Sequence, residues 1–392
     1  MLETQSVSMF DSFDPRRPIG IIPTPGAEEL GQKINDQLIK LLHDKYPETK
    51  NDPRTRKSLI IDAKCPRFGS GDGKCVIGQS VRGYDLYLIA DVGNYGYTYK
   101  FLNYPYPVPM SPDEHFADLK RLISAVGGMA SHITVIMPLL YGGRQHKRTG
   151  RESLDCAMAL QELQSMGVSN IITFDAHDPR VQNAVPLMGF DNVMPTYQVL
   201  KAMMRNTPDL RADKEHMMIV SPDEGAMDRN MYYASVLGID LGMFYKRRDY
   251  STMINGRHPI VSHEYLGNSV EGKDIFVADD IISSGDSMLR LAYDLKEQGC
   301  KRIFMFATYA LFTEGLDRFN KAYEEGMFDC VLSTNLTYRT PELLAAPWYT
   351  EVDATKYAAT FIFAMHQNQS VSSLIDPHKK IAKLLEDTQS NN

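Results

Sequence analysis

The feature that most limits what this chain can fold into is a repeated alternation. Short, continuous apolar runs take turns with stretches that carry apolar residues at helical spacing. In the first cycle, 58–62, 86–91, 133–139 and 170–174 read as strands, and 114–126 and 152–166 as helices; Leu119, Leu122 and Ile123 mark the buried face of 114–126. After Pro195 a second cycle runs helix 197–204, strand 217–220, helix 225–236, strand 241–245, a polar loop from 247 to about 271, strand 274–278, helix 287–298, strand 302–307, helix 315–324 and strand 329–333. Continuous apolar strands alternating with helices imply parallel sheets covered on both faces. The expected boundaries are an N-terminal extension 1–17, a first domain 18–194, a second domain 195–375 and a tail 376–392, read as a short helix with a frayed end. The two cycles look like distant structural repeats, although no strict period runs through them.

Length and charge agree with that division. At roughly 150 residues per domain, 392 residues make about two. A formal net charge of -7 argues against a dedicated nucleic-acid binder. Residues 1–17 contain Glu3, Asp11 and Asp14 and no apolar core, unlike a signal peptide. Apolar runs at 133–141 and 358–365 are too short to span a bilayer and suit a buried strand or a core helix. The five cysteines, Cys65, Cys75, Cys156, Cys300 and Cys330, are scattered and odd in number, so reduced thiols in a cytoplasmic protein are the expectation. Cys65 and Cys75 flank a Gly-rich turn; as two thiols without nearby Cys or His they are a weak zinc signal.

Five clusters at expected strand ends carry candidate chemistry. The most specific is Asp279-Asp280-Ile-Ile-Ser283-Ser284-Gly285-Asp286-Ser287, which runs from a strand into a helix. Paired carboxylates there suit ribose hydroxyls or a hydrated magnesium ion, and the small residues after them expose backbone N–H groups at a helix N-terminus, a phosphate cradle. A plain helix cap by Ser284 or Asp286 is the bland alternative. In Ser221-Pro-Asp223-Glu-Gly225, Asp223 either binds a metal or caps the next helix. In Asp175-Ala-His177-Asp178, the imidazole is placed to ligate a cation or meet a phosphate. The loop from Arg144, Gln145 and His146 to Arg151 is densely cationic and flanked by glycine; Arg offers bidentate phosphate contacts. Lys246-Arg247-Arg248 opens a long loop of the kind that often closes over an active site.

Taken in their order along the chain, the clusters resemble the ribose-phosphate pyrophosphokinase family, across about 22–333. Residues 279–287 resemble its ribose 5-phosphate loop, Arg144-Gln145 its Ala-Arg-Gln-Asp segment, and Asp175-Ala-His177 its Asp-Leu-His segment, with Asp191-Asn192 closing that stretch. Ser221-Pro-Asp223-x-Gly225, Lys246-Arg247-Arg248 and Ser80-Val-Arg-Gly83 also match family segments, and 68–74 is a loosened form of its adenine loop. The departures are Ser283 where the family has Asp, Asp286 where it has Gly, and Lys74 where it has Glu.

The resemblance implies two type I phosphoribosyltransferase-like domains, each a mainly parallel sheet flanked by helices. It implies transfer of the diphosphoryl group of ATP to ribose 5-phosphate, with Mg2+ as cofactor. By the same resemblance, Lys246, Arg248 and His177 are catalytic; Arg144, Gln145, His146, Phe68 and Asp72 bind ATP; His177 and Asp223 hold the metal. Asp279, Asp280, Ser283, Ser284, Gly285, Asp286 and Ser287 bind ribose 5-phosphate. It further implies a homo-oligomer with active sites near subunit interfaces, and no nucleic-acid or membrane partner. A phosphoribosyltransferase and a non-catalytic regulatory homologue are the competing readings.

Overall fold

A computed structural model describes residues 17–52, 55–248 and 260–389, the side chains of 246–248, 260–263 and 388–389 excepted. The chain forms two compact units that part between Pro195 and Thr196. The first contains a five-stranded parallel sheet in sequential order: β1 (Ile19–Pro23), β2 (Asp85–Ile89), β3 (His132–Ile136), β4 (Asn170–Phe174) and β5 (Gly189–Val193). β2 and β4 are buried along their whole length, as expected of parallel strands covered on both faces. Its helices include α1 (Glu28–Lys45), α2 (Pro112–Val126) and α3 (Asp155–Ser165). A capping box starts α2: Ser111 accepts the N–H of Glu114, whose carboxylate accepts the N–H of Ser111.

The second unit contains α4 (Thr196–Asn206), β6 (Met217–Ser221), α5 (Met227–Leu237), β7 (Leu241–Arg248), β8 (Ile260–Leu266), β9 (Asp274–Ile282), α6 (Asp286–Glu297), β10 (Arg302–Ala310), α7 (Asp317–Glu324), β11 (Cys330–Thr334), α8 (Pro341–Ala345) and β12 (Tyr349–Val352). Its seven strands lie in the order β8-β7-β6-β9-β10-β11-β12. All pairs are parallel except β7 with β8, an antiparallel edge. The chain leaves β6 toward one edge and returns on its other side as β9, so the sheet reverses direction between these neighbours. In open α/β sheets ligands bind outside the carboxyl ends of strands at such a reversal.

Several expectations need correction. Only Ile60 of 58–62 bridges to β1, so this segment is not a strand of its own. The region 247–271 is not simply loop, because β8 turns back along β7. The expected second domain, 195–375, is not contiguous: 335–338 and 353–375 belong to the first unit. Within 353–375, helix α9 (Thr355–His366) packs on α1, and His366 Nδ1 lies 2.9 Å from Asp85 at the start of β2. The expected tail rejoins the second unit, with α11 (His378–Gln389) against α4, after the single turn α10 (Ser372–Ile375). Finally, Cys65 and Cys75 form a disulfide, overturning the expectation of five reduced thiols. Among the described residues, no helix is long and apolar enough to cross a membrane.

Candidate active site

In the first unit, two neighbouring strand ends bring the cationic loop and the histidine loop together. After β3, Tyr141 stacks on Phe116 of α2 (ring centroids 4.3 Å apart) and donates its hydroxyl to Asp113 at 2.7 Å. That bond, with desolvation second, pushes the Tyr141 phenol up to about 12. Gly142 follows with φ +67, and a Cβ there would sit 2.9 Å from the backbone nitrogen of Cys156, so the turn accepts glycine alone. Gln145 ties the loop to itself, donating to the carbonyls of Lys147 (3.3 Å) and Ser153 (2.9 Å). Arg144 points outward and is exposed.

The ring of His146 lies 5.2 Å from that of His177, which follows β4. His146 Nε2 is 3.5 Å from Asp178, while its buried Nδ1 has no hydrogen-bond partner. Such an orphan is unusual in a folded protein and marks a place where a ligand or water must supply the partner. Hydrogen bonds from Arg180 hold Asp178 down to about 2, so it is ionised throughout the physiological range. Asp175 is buried with φ +48, costly for a residue with a Cβ, and the turn is held by Ala176 N donating to Asn192 at 2.9 Å. Asn192 therefore has a mechanical reason to stand in this region.

Phe68 and Asp72 lie elsewhere on this unit, on a hairpin between the strand pair Ala63–Lys64 and Val76–Ile77. Phe68 is 53% exposed, with the Lys74 ammonium 5.6 Å from its ring centre. The hairpin is closed by the Cys65–Cys75 disulfide and anchored by Arg67, which makes two 2.7 Å hydrogen bonds to the buried carboxylate of Asp118. Asp118 also meets Cys65 and Cys75 in a three-residue cluster of potential metal ligands. With two sulfurs bonded to each other and the carboxylate spent on arginines, the cluster has no free anionic ligand to offer a metal.

In the second unit, the two expected motifs stand at the carboxyl ends of β6 and β9, on either side of the reversal point. Asp223 Oδ1 accepts the N–H groups of Gly225 (3.0 Å) and Ala226 (3.2 Å), shaping the turn into α5. Buried Asn230 on α5 donates to the Ala278 carbonyl at 2.7 Å and accepts the Ala278 N–H at 3.0 Å, stitching α5 to the end of β9. Next along β9, Asp279 and Asp280 face opposite sides of the sheet. Asp279 accepts the N–H of Asp280 at 2.9 Å and lies 3.5 Å from Arg229; Asp280 is only 5% exposed. Desolvation, and then the neighbouring Asp280 carboxylate, raise Asp279 far above the carboxylate range; Arg229 only partly offsets them.

Gly285 takes φ +79 at the start of α6, with its α-carbon pressed toward the Phe319 ring. Ser283 Oγ is 3.1 Å from Thr313 Oγ1. Ser284 donates to Asp286 at 3.1 Å, and Asp286 also pairs with Arg318 of α7. Asp286 and Ser287 are exposed in the first turn of α6. Lys246 and Arg248 fall at the end of β7, and their side chains lie outside the described residues.

Local reading of the sequence picked out the stretch from Ser221 to Arg229 but gave Arg229 no role, and it missed Asn230 and Arg318. Arg229 and Asn230 follow the Ser-Pro-Asp-x-Gly motif within one helical turn, which was a usable signal. Arg318 comes 32 positions after Asp286, and no local pattern links them.

Comparison with known proteins agrees with this geometry. One family model, the N-terminal domain of ribose phosphate pyrophosphokinase, matches residues 19–167, and a second, the phosphoribosyl transferase domain, matches 190–331. The chain belongs to the ribose-phosphate pyrophosphokinase family. It is 27% identical over 323 residues to a ribose-phosphate pyrophosphokinase of Vibrio cholerae, covering 80% of this chain and 91% of the relative. It is also 27% identical over 254 residues to one of Mycoplasma pneumoniae, covering 64% and 73%. The crystal structure of phosphoribosylpyrophosphate synthetase from Mycobacterium smegmatis matches the fold with a TM-score of 0.70 at 20% identity, covering 90% of this chain and all of that one. The first match takes in β1 to β3 and the loop that carries Arg144, the second takes in the Asp223 turn and the 279–287 loop, and the His177 turn falls between them.

Proposed function

We propose that the chain is a ribose-phosphate diphosphokinase. It transfers the β,γ-diphosphoryl group of ATP to the 1-hydroxyl of ribose 5-phosphate, giving phosphoribosyl diphosphate and AMP. The observation that carries the reading is the second unit's reversal point, where the Asp223 turn and the 279–287 loop end two adjacent strands. Paired carboxylates suit sugar hydroxyls, and the Ser-Ser-Gly turn into α6 suits the 5-phosphate. A phosphoribosyltransferase would use this loop too, but the Arg144, His146 and His177 cluster of the first unit belongs to a phosphate-rich second substrate.

In this reading the anomeric hydroxyl attacks the β-phosphorus and gives up its proton, the bond from the β-phosphorus to the α-phosphate oxygen breaks, and AMP leaves with that oxygen. The reaction needs alignment and charge neutralisation more than covalent help. Arg144 meets the ATP phosphates, with Gln145 holding the loop's shape and the orphaned nitrogen of His146 beside it. Phe68 and Asp72 serve the adenine. Asp279 and Asp280 orient the ribose hydroxyls, and Ser283, Ser284, Gly285, Asp286 and Ser287 surround the 5-phosphate. Lys246 and Arg248 stabilise charge on the group in flight, and His177 is the third residue assigned a catalytic role.

Mg2+ is the metal this reading calls for. His177, on the turn after β4, and Asp223, on the turn after β6, would each supply one donor, and magnesium keeps waters and substrate phosphates for its remaining positions. Bound there, it would neutralise polyphosphate charge. Assembly into a homo-oligomer with sites near subunit interfaces, and a location in the cytoplasm, belong to the same proposal. The Cys65–Cys75 disulfide is the feature at odds with a reducing compartment.

The test is AMP formation from ATP, Mg2+ and ribose 5-phosphate with no nucleobase present. AMP and phosphoribosyl diphosphate in equal amounts support the reading. Their absence, with a nucleobase required for any turnover, would assign a transferase; binding of both substrates without turnover would assign a regulatory homologue.

A further inference from the structure

Asp286 poses an electrostatic problem. A carboxylate in the first turn of α6 competes with any phosphate for the positive end of the same helix. It also takes the Ser284 hydroxyl, which donates to Asp286 Oδ2 at 3.1 Å, while the Asp286 N–H points back to Ser284 Oγ at 3.4 Å. The small-residue turn is thus occupied by an anion of the chain's own making.

The structure also holds the counter-charge. Arg318, at the second position of α7, pairs through Nη2 with Asp286 Oδ1, the oxygen that Ser284 does not use, and through Nη1 lies 3.6 Å from Glu314. α7 is fixed beneath the turn by Phe319, fully buried and in contact with Gly285 through its ring. The residue that closes the turn's floor is therefore the immediate neighbour of the one that reaches its acidic rim. Arg318 keeps Asp286 ionised below its ordinary range, so the carboxylate does not discharge itself by taking a proton.

We propose that Arg318 is a positioning residue for the sugar phosphate: it neutralises Asp286 and draws that carboxylate to one side, so that the Ser284–Ser287 turn accepts a phosphate dianion. This rests on the ribose 5-phosphate reading of the loop. The pair turns a substitution that would repel the substrate into a neutral rim, and it requires the two charges to be matched.

The test measures ribose 5-phosphate and unphosphorylated ribose binding by calorimetry, with KM for each substrate and kcat, in the full-length protein. Arg318→Met should weaken ribose 5-phosphate binding about tenfold, the scale of one uncompensated charge near a phosphate. Its KM should rise alike, while kcat, KM for ATP and ribose binding stay put. Arg318→Lys should recover most of the loss. Asp286→Asn in the Arg318→Met background should restore binding, since the charge to be offset is gone. An unchanged ribose 5-phosphate affinity in Arg318→Met overturns the inference, as does a double variant that stays weak, which would mean that Arg318 does not act through Asp286. Equal loss of ribose and ribose 5-phosphate binding, with a lowered melting temperature, would make the pair merely structural. Wild-type protein that binds no ribose 5-phosphate fails the functional reading itself, a separate and visible result.

Discussion

Arg229 reaches to within 3.5 Å of Asp279, yet the carboxyl it faces is still held toward its protonated form, at about 8. Burial beside Asp280 outweighs one guanidinium at that distance. Raising the folded-state value of an acid makes the native state bind a proton that the unfolded chain has already released. Stability should therefore be full below the ordinary carboxylate range and fall as pH rises from about 4 to about 8. Asp279→Asn removes that titration. Urea titrations in metal-free buffer should find the variant more stable than wild type by an amount that grows across this window to a few kcal/mol. A constant difference between the two proteins from pH 4 to 8 would refute the assignment.

Gly285 has two reasons to be glycine: φ of +79, and an ideal Cβ that would stand 2.2 Å from the Phe319 ring. Gly285→Ala must strain the backbone and displace a buried aromatic that also packs on Phe312 and Trp348. A loss of about 2–4 kcal/mol is expected, together with weakened ribose 5-phosphate binding. Chemical denaturation and calorimetry read the two effects separately, and a variant as stable as wild type would contradict the geometry.

Arg67 makes two hydrogen bonds to a carboxylate with no exposed surface, while Arg121 reaches one oxygen of the same group from the next turn of α2. Arg67→Met leaves Asp118 half-compensated in the interior. The expected cost is about 2–4 kcal/mol, because removing one partner strands a buried charge. Asp118→Asn combined with Arg67→Met should recover part of it. KM for ATP should rise in Arg67→Met, since the hairpin that carries Phe68 loses its anchor. Unchanged stability would show that Arg121 suffices alone.

The fold was legible where the decisive information was local. The strand expected at 170–174 is β4 residue for residue, and the loops after β3, β4, β6 and β9 were found because an apolar run ending in charged or small residues is itself the signature of a parallel strand's carboxyl end. What was not legible depends on where distant segments meet. Helix α9 has the apolar pattern of any core helix, and nothing in it says that it packs on α1 rather than on the sheet that precedes it in sequence. Asp286 could be seen to need a cation, but Arg318 meets it only because α7 lies against the Gly285 turn. Cys65 and Cys75 were seen as neighbours across a turn, and composition alone argued for two thiols.

The disulfide spans ten positions, and closing a loop of that size should contribute about 2–3 kcal/mol by restricting the unfolded chain. Cys65→Ser should therefore unfold at lower urea, and wild type in excess dithiothreitol should match it. Thiol titration of denatured, unreduced protein should count three free thiols, Cys156, Cys300 and Cys330. Five thiols in protein purified and denatured anaerobically would mean that the bond is not made in the cell.

Lys246 stands on β7, its backbone opposite His263 of β8, where the strand leads toward the segment that follows Arg248. The transferring diphosphoryl group gathers charge on its oxygens as the bond to AMP breaks, and a preorganised cation is worth most at that moment. Removing it should therefore act on turnover and little on the ground state. Lys246→Ala should lower kcat by about 10²–10³-fold, the scale of one lost transition-state donor, while the ribose 5-phosphate dissociation constant stays within about twofold of wild type. Lys246→Arg, which keeps the charge with a different reach, should fall between them. Quenched-flow measurement of AMP formation isolates the chemical step from product release. Equal single-turnover rates in Lys246→Ala and wild type would remove Lys246 from the reaction and leave Arg248 as the cation to test next.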